Sequence, residues 1–361
     1  MLELDEHNAA DYLRAGGWID RDERIAISAL AGGVSNQVLY VARADRPGHD
    51  FVLKQVRAQL RTADPWFASI ERIWREVEVL QVCQALVANE PPAPPGELSV
   101  STPAIVFEDR TEYAFAMTAA PREHHVWKRE LLSGRADPRI ARACGRLLGA
   151  LHGASWRDAA LQRRLGDRQL FDELRLDPYY RATARTAPEA RAAFEALIAS
   201  QAAQACALVH ADFSPKNLLV WDGGLMMVDF ETGHYGDPAF DLGFFLSHLV
   251  LKTFELAPRL EECAALTSAF WAAYEQRLAQ NVPAAEFRLL VRRAIRNLAG
   301  CAWARLDGTS KIDYLADPAR REAVRGLCRH LLLDHAEDAG TDDWNDVLAQ
   351  VRARCEQLAR K

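Results

Sequence analysis

The chain has 361 residues, of which 49% are hydrophobic and 26% charged, and its formal net charge is −6. That length leaves room for two domains with a sizeable core, and the proportions are those of an ordinary globular protein. A net negative chain lacks the concentrated basic surface that nucleic acid or an anionic membrane needs, so neither is expected as a main partner.

Up to about residue 118 the dominant period is two. IAISAL (25–30), QVLYVAR (37–43) and FVLKQV (51–56) alternate apolar residues as half-buried strands do, with turn signals between them, and predict a three-stranded antiparallel meander. From Trp66 the period changes: Trp66, Ile70, Ile73, Trp74, Val77 and Leu80 recur at helical spacing and predict one amphipathic helix over 66–86. The Pro-rich segment NEPPAPPGELSVSTP (89–103) reads as an irregular surface connection. STPAIVF (101–107) and EYAFAMT (112–118) are two further strand candidates.

Beyond Pro121 the pattern is mainly helical. Stripes run from Ile140 to Leu151 and from Phe287 to Leu298, with further helical stretches around 188–205, 240–253 and 319–333. The clear strands there are CALVH, KNLLVW and GLMMVDF. The longest apolar run, LGFFLSHLVL at 242–251, is too short for the roughly 20 residues that span a bilayer, and MLELDEHNAA lacks a leader pattern, so a cytoplasmic protein is expected. Seven scattered cysteines with no CxxC pair suggest neither a disulfide framework nor a zinc knuckle. The expected class is α+β in two lobes, residues 1–119 and 120–361, as a monomer or a homodimer.

The polar residues around the second-lobe hairpin carry the chemistry. VHADFSPKNLLVWDGGLMMVDFE (209–231) contains H-A-D-x4-N, formed by His210, Asp212 and Asn217, and Asp229 ends the second strand. A type I′-like turn at Asp222-Gly223-Gly224 returns that strand and brings Asp229 near Asn217. Two oxygen donors facing one cavity suit Mg²⁺, which keeps waters and takes substrate phosphates for its other positions. Asp212, on the same loop, is placed to accept or orient the proton of an attacking hydroxyl, the arrangement phosphoryl transfer requires. A plainer role for His210 is a buried imidazole satisfied by backbone.

HADFSPKNLLV, MMVDFE and GDPAFDLG together resemble the catalytic loop and metal segment of the aminoglycoside phosphotransferase and choline kinase superfamily, small-molecule kinases with a bilobal protein-kinase-like fold. The resemblance implies Asp212 as catalytic base, Asn217 and Asp229 as Mg²⁺ ligands with Glu231 completing the DFE segment, and Asp241 as a carboxylate bracing the loop. For Asp241 the alternative is a plain helix N-cap. Lys216 stands where it could steady the γ-phosphate, or else is an exposed loop lysine.

A kinase also needs a cation and a backbone cradle for its nucleotide, ATP. Lys54 lies on the strand face of Val52 and Val56, and Glu76 falls on the apolar stripe of its helix. Each is costly unless paired, so a Lys54–Glu76 pair is expected. AGGVSN resembles the family's phosphate-covering loop, which makes Gly33, Ser35 and Asn36 candidates, and the backbone of Met117 to Ala119 is expected to meet the adenine edge.

The resemblance implies an acceptor that is a hydroxylated small molecule of aminoglycoside, sugar or amino-alcohol type. HHVWKRELLSG (124–134) and LVRRAIRNLAG (290–300) are similar to segments of methylthioribose kinases, a sugar-kinase branch, which nominates Arg292 and Arg293 as substrate residues. The simpler alternative for both is the solvated side of a helix. The acidic stretch 334–346 could attract a cationic aminoglycoside or be mere surface. A nucleotide-binding pseudokinase is the second alternative, disfavoured by the complete residue set, and a nucleophilic hydrolase has no G-x-S-x-G signature.

Overall fold

A computed structural model describes residues 2–30, 36–57, 70–256, 259–334 and 343–360. In chain order the elements are α1 (Ala9–Ala15), β1 (Ile25–Ala29), β2 (Asn36–Arg43), β3 (Phe51–Val56), α2 (Arg72–Ala88), β4 (Ser99–Ser101), β5 (Ile105–Asp109) and β6 (Ala114–Thr118). They continue with β7 (His125–Val126), α3 (Trp127–Leu132), α4 (Pro138–Ala154), α5 (Ala159–Leu165), α6 (Gln169–Phe171), a π-helical stretch Asp172–Arg181, α7 (Ala182–Thr186) and α8 (Arg191–Ala203). After β8 (Ala207–Val209), β9 (Leu218–Trp221), β10 (Gly224–Met227) and β11 (His234–Gly236) come α9 (Ala239–Glu255), α10 (Leu260–Leu278), α11 (Ala284–Asp307), α12 (Pro318–Arg329) and α13 (Trp344–Ala359). No helix among the described residues is long and apolar enough to cross a membrane.

The chain forms two compact units, one of residues 1–85 and 102–124, the other of 86–101 and 125–361. In the first, an antiparallel sheet runs in the order β1-β2-β3-β6-β5. Alternation sends Leu39, Val41, Phe51, Leu53, Ala114 and Ala116 to one face, where they pack with Leu4, Leu13 and Ile19 of the amino-terminal segment. The opposite face carries Lys54, which sits across from Val38 and Phe115. The helix stripe expected from Trp66 is described from Arg72 onward and buries Ile73, Val77 and Leu80; Trp66 itself lies outside the described residues.

The Pro-rich segment is not wholly irregular. Its end forms β4, which pairs in parallel with β10 to give the order β4-β10-β9-β7. Arginines anchor the rest: Arg142 and Arg146 reach Glu97 at 2.8 and 2.9 Å, and Arg277 reaches Glu90 at 2.5 Å. A three-residue strand shows no periodicity, and its partner lies more than 120 residues away in sequence. That pairing also explains why the division into units is interleaved and not a single cut at 119.

In the second unit β8 and β11 form a two-stranded ladder beside a helical core. Two close helix crossings are built on glycine. A Cβ at Gly145 of α4 would meet the Phe270 carbonyl of α10 at 2.3 Å, and one at Gly243 of α9 would meet Asn297 and Leu298 of α11 at 2.5 Å. The π-helical stretch contains Pro178, which has no N–H to give to the ladder, and the wider turn accommodates it.

Candidate active site

The hairpin closes with Trp221 opposite Gly224 and Met227 opposite Leu218, and the Val228 N–H donates to the Asn217 carbonyl at 3.0 Å. Asp229 is therefore the next residue past the rung that Asn217 closes. The turn differs from the type I′ expectation: Gly223 has φ 85°, but Asp222 is not left-handed. One glycine at the second central position is enough to reverse the chain, and Asp222 keeps a conformation any residue adopts.

Between β8 and the short helical turn Pro215–Asn217 runs the loop bearing Asp212. Its shape depends on Ala211, a left-handed non-glycine residue at φ 61°, a conformation that costs about 1–2 kcal/mol. Two groups hold it there. The Asp241 carboxylate accepts the N–H of Ala211 and the N–H of His210, both at 2.7 Å, and Arg175 Nε donates to the Ala211 carbonyl at 2.6 Å. His152 Nε2 lies 3.2 Å from the same Asp241 carboxylate. Asp241 is not the N-cap of α9, a position held by Pro238. Burial opposes its ionisation, but the His152 contact and the backbone N–H of His210 outweigh it and hold the carboxyl below its ordinary range.

Asp212 is 3% exposed. Its Oδ2 receives Arg175 at 3.1 Å, Lys216 at 2.8 Å and the Asn217 amide at 2.9 Å. Burial pushes this carboxyl up; the Arg175 and Lys216 charges more than offset that and keep it well below the usual carboxylate range. The Lys216 ammonium, half exposed, is raised in turn by Asp212. Arg175 escaped the sequence reading. It stands on the π-helical stretch, far from the loop in sequence, and no spacing rule connects the two.

His210 Nδ1 accepts the Asp212 N–H at 3.1 Å, while Nε2 is buried with no hydrogen-bond partner among the described residues. Burial lowers its pKa, so it stays neutral. The Thr232 hydroxyl donates to the His210 carbonyl at 3.1 Å, tying the segment after Asp229 to the loop.

The donor chemistry suits a hard cation. Asn217 sends its amide nitrogen to Asp212 twice, at 2.9 and 3.0 Å, which turns its acceptor oxygen Oδ1 away from that residue. Asp229, left-handed at φ 74°, and half-buried Glu231 add carboxylates whose charges both reach Arg175. Among the described residues no three His, Cys, Asp or Glu side chains converge into a metal cage. An amide and one or two carboxylates fit Mg²⁺, which keeps water and phosphate oxygens, and do not fit a closed zinc site.

In the first unit Lys54 Nζ lies 2.6 Å from Glu76 Oε1, with side-chain exposures of 8% and 1%. Asn36 begins β2 opposite Val56, on the face of Lys54, and its Oδ1 is buried without a hydrogen-bond partner among the described residues. Gly33 and Ser35 lie outside the described residues. Met117 sits opposite Val52 in the sheet. The N–H groups of Thr118 and Ala119 donate to the Ala104 and Asp50 carbonyls at 2.8 and 3.0 Å.

Arg293 is not on a solvated face. It forks onto the buried carboxylate of Asp237 at 2.8 and 3.1 Å, and Asp237 in turn accepts the Ala239 N–H at the start of α9. Arg292 is exposed on α11. Most of the acidic stretch at 334–346 lies outside the described residues.

The model of the phosphotransferase enzyme family matches residues 26–279, and the chain belongs to that family. Over 272 residues the chain is 25% identical to methylthioribose kinase of Yersinia pseudotuberculosis serotype O:3 (strain YPIII), covering 68% of this chain. It spans 64% of that relative's length. Among solved structures, a choline/ethanolamine kinase family protein from Mesorhizobium loti aligns with TM-score 0.47 and 17% identity over 95% of this chain and 99% of its own. Plasmodium vivax ethanolamine kinase aligns with TM-score 0.49 and 10% identity over 97% and 87%.

Proposed function

We propose that the protein is an ATP- and Mg²⁺-dependent phosphotransferase that moves the γ-phosphoryl group to a hydroxyl of a small molecule. The observation that carries this reading is the loop geometry: Asp212 is buried against Arg175 and Lys216, and Asp229 follows the rung that the Val228 N–H closes with the Asn217 carbonyl, which supports the pair as cation ligands. A bound Mg²⁺ would neutralise charge on the phosphates. Asn217, Asp229 and Glu231 would hold it, and in the first unit Lys54, oriented by Glu76, is the proposed ligand for the nucleotide's phosphate oxygens.

In the transfer, the acceptor oxygen forms a bond to the γ-phosphorus as the bond from that phosphorus to the β–γ bridging oxygen breaks, and that electron pair leaves with ADP. The acceptor proton passes to Asp212. A carboxylate held this acidic is a weak base towards an unreacted hydroxyl. Asp212 therefore orients the hydroxyl first and takes the proton as bond formation makes it acidic. Arg175 and Lys216 keep it ionised, and Lys216 can turn to the transferred group.

The methylthioribose kinase relative supports a sugar as acceptor, and Asp212→Ala tests the shared mechanism. Phosphoryl transfer should fall at least a hundredfold while Mg·ATP binding, read by calorimetry, persists. Unchanged turnover would sink the mechanism.

A further inference from the structure

Asp241, His248 and Lys252 lie at helical spacing along α9, and the last two enter a region where buried polar groups lack partners. Lys252 is 2% exposed. Among the described residues its Nζ donates only to the His248 carbonyl, at 3.3 Å, and stands 5.1 Å from the centre of the Tyr314 ring. Arg305, from α11, spends one terminal nitrogen on the Ser310 carbonyl, the Ser310 hydroxyl and the Tyr179 hydroxyl, at 2.5, 2.6 and 3.2 Å. Among the described residues its Nε is buried with no acceptor, and His248 Nε2 and the Tyr314 hydroxyl are likewise buried without partners.

Among the described residues, neither Lys252 nor Arg305 has a carboxylate partner. Burial, Lys128 and Arg305 together pull the Lys252 ammonium down to about 7, and its neighbourhood offers only Cys263 in the opposite sense. Elsewhere the same unit pairs its buried cations with care: Arg293 with Asp237, Arg175 with Asp212. Arg305 is half-buried, but Lys252 is a buried cation without such a partner, which is costly, and a fold that needed it only for packing would carry Met or Leu there. The charges of Asp212 and Lys216 also reach His248, which ties the cluster to the loop that holds the proposed base. Arg305 and Tyr314 lie beyond the 26–279 range of the family match.

We infer that the phosphoryl acceptor carries an oxyanion group, a carboxylate or a phosphate, in addition to its reacting hydroxyl, and that Lys252 and Arg305 receive it, with His248 and Tyr314 as hydrogen-bonding partners. This rests on the phosphotransferase reading and narrows it. A cationic amino alcohol or aminoglycoside would meet like charge here, whereas an anion supplies the missing counter-charge and the missing acceptors at once.

The test uses the full chain loaded with Mg·ADP and four matched probes: glycerol, glycerate, glycerol phosphate and aminopropanediol. Calorimetry should show glycerate or glycerol phosphate binding at least tenfold more tightly than glycerol or aminopropanediol, the two anionic probes distinguishing carboxylate from phosphate. In Lys252→Met and in Arg305→Met that preference should disappear. Lys252→Met should also unfold at the same or a higher temperature, because it removes an unpaired buried charge. No preference for the anions, or a preference that survives both substitutions, overturns the inference and leaves the phosphotransferase reading intact. A Lys252→Met protein that loses stability but keeps the preference marks a structural lysine and overturns it too. Failure of Mg·ADP to bind overturns the phosphotransferase reading and this inference with it.

Discussion

Asp241→Asn is nearly isosteric, yet it should damage the loop more than most buried substitutions. The wild-type carboxylate accepts two backbone N–H groups at 2.7 Å and faces His152 Nε2 at 3.2 Å. Asparagine keeps one acceptor oxygen and puts an NH₂ where the other stood, so one backbone donor faces a donor. Losing a charge-assisted bond costs about 1.5–3 kcal/mol, and leaving a buried N–H unsatisfied costs about 1–3 kcal/mol. The two overlap, and about 3 kcal/mol is expected, a shift of over a hundredfold in the folding equilibrium. Relaxation of the left-handed Ala211, whose strain Asp241 holds in place, would recover part of this loss while displacing the loop.

Urea unfolding at neutral pH measures the loss, and its pH dependence identifies the cause. Asp241 has its folded pKa depressed below the ordinary 3.8, so its contribution is present above that value and is lost as pH falls through the folded value. The gap between wild type and Asp241→Asn should therefore be full at pH 7 and narrow below about 3.8. A variant within about 0.5 kcal/mol of wild type at neutral pH would refute the argument, since that is ordinary scatter for an uninvolved site.

Arg175→Met removes the larger of the two charges that depress Asp212, so the acid limb of the pH–rate profile should move upward; an unmoved limb would exclude Arg175 from that role. Asp229→Ala should abolish the Mg²⁺ dependence of nucleotide binding, read by titrating metal at fixed ATP. Glu76→Gln should cost about 3 kcal/mol, because it breaks a buried ion pair, and thermal unfolding reports it. Arg293→Met should destabilise the protein by a similar amount through Asp237, whereas a raised acceptor KM with unchanged stability would make Arg293 a substrate residue.

The sequence was most legible where a local period or a local conflict exists. The meander β1 to β3 shows in alternation, and the β9–β10 hairpin in its DG turn. Lys54 and Glu76 stand out because each sits on the wrong face of its element unless the other is near. What sequence could not show was supplied from a distance. Arg175 meets Asp212 across 37 positions and a π-helical stretch, and Arg293 meets Asp237 across 56. β4 is a strand only because β10 lies beside it. The Lys252 cluster is silent for another reason: a lysine on an apolar helix reads as a snorkelling side chain until its lack of any acid partner is seen.

The interleaved division of the chain has a consequence for anyone who wishes to cut or recombine it. The backbone passes between the two units three times, near residues 85, 101 and 124. A fragment ending at 119 would carry β4 without β10 and expose its unpaired edge, while the complementary fragment would lose the outermost strand of the β4-β10-β9-β7 sheet. Chimaeras with related phosphotransferases should therefore exchange the 86–101 segment together with residues 125–361, through three junctions, and never through a single crossover.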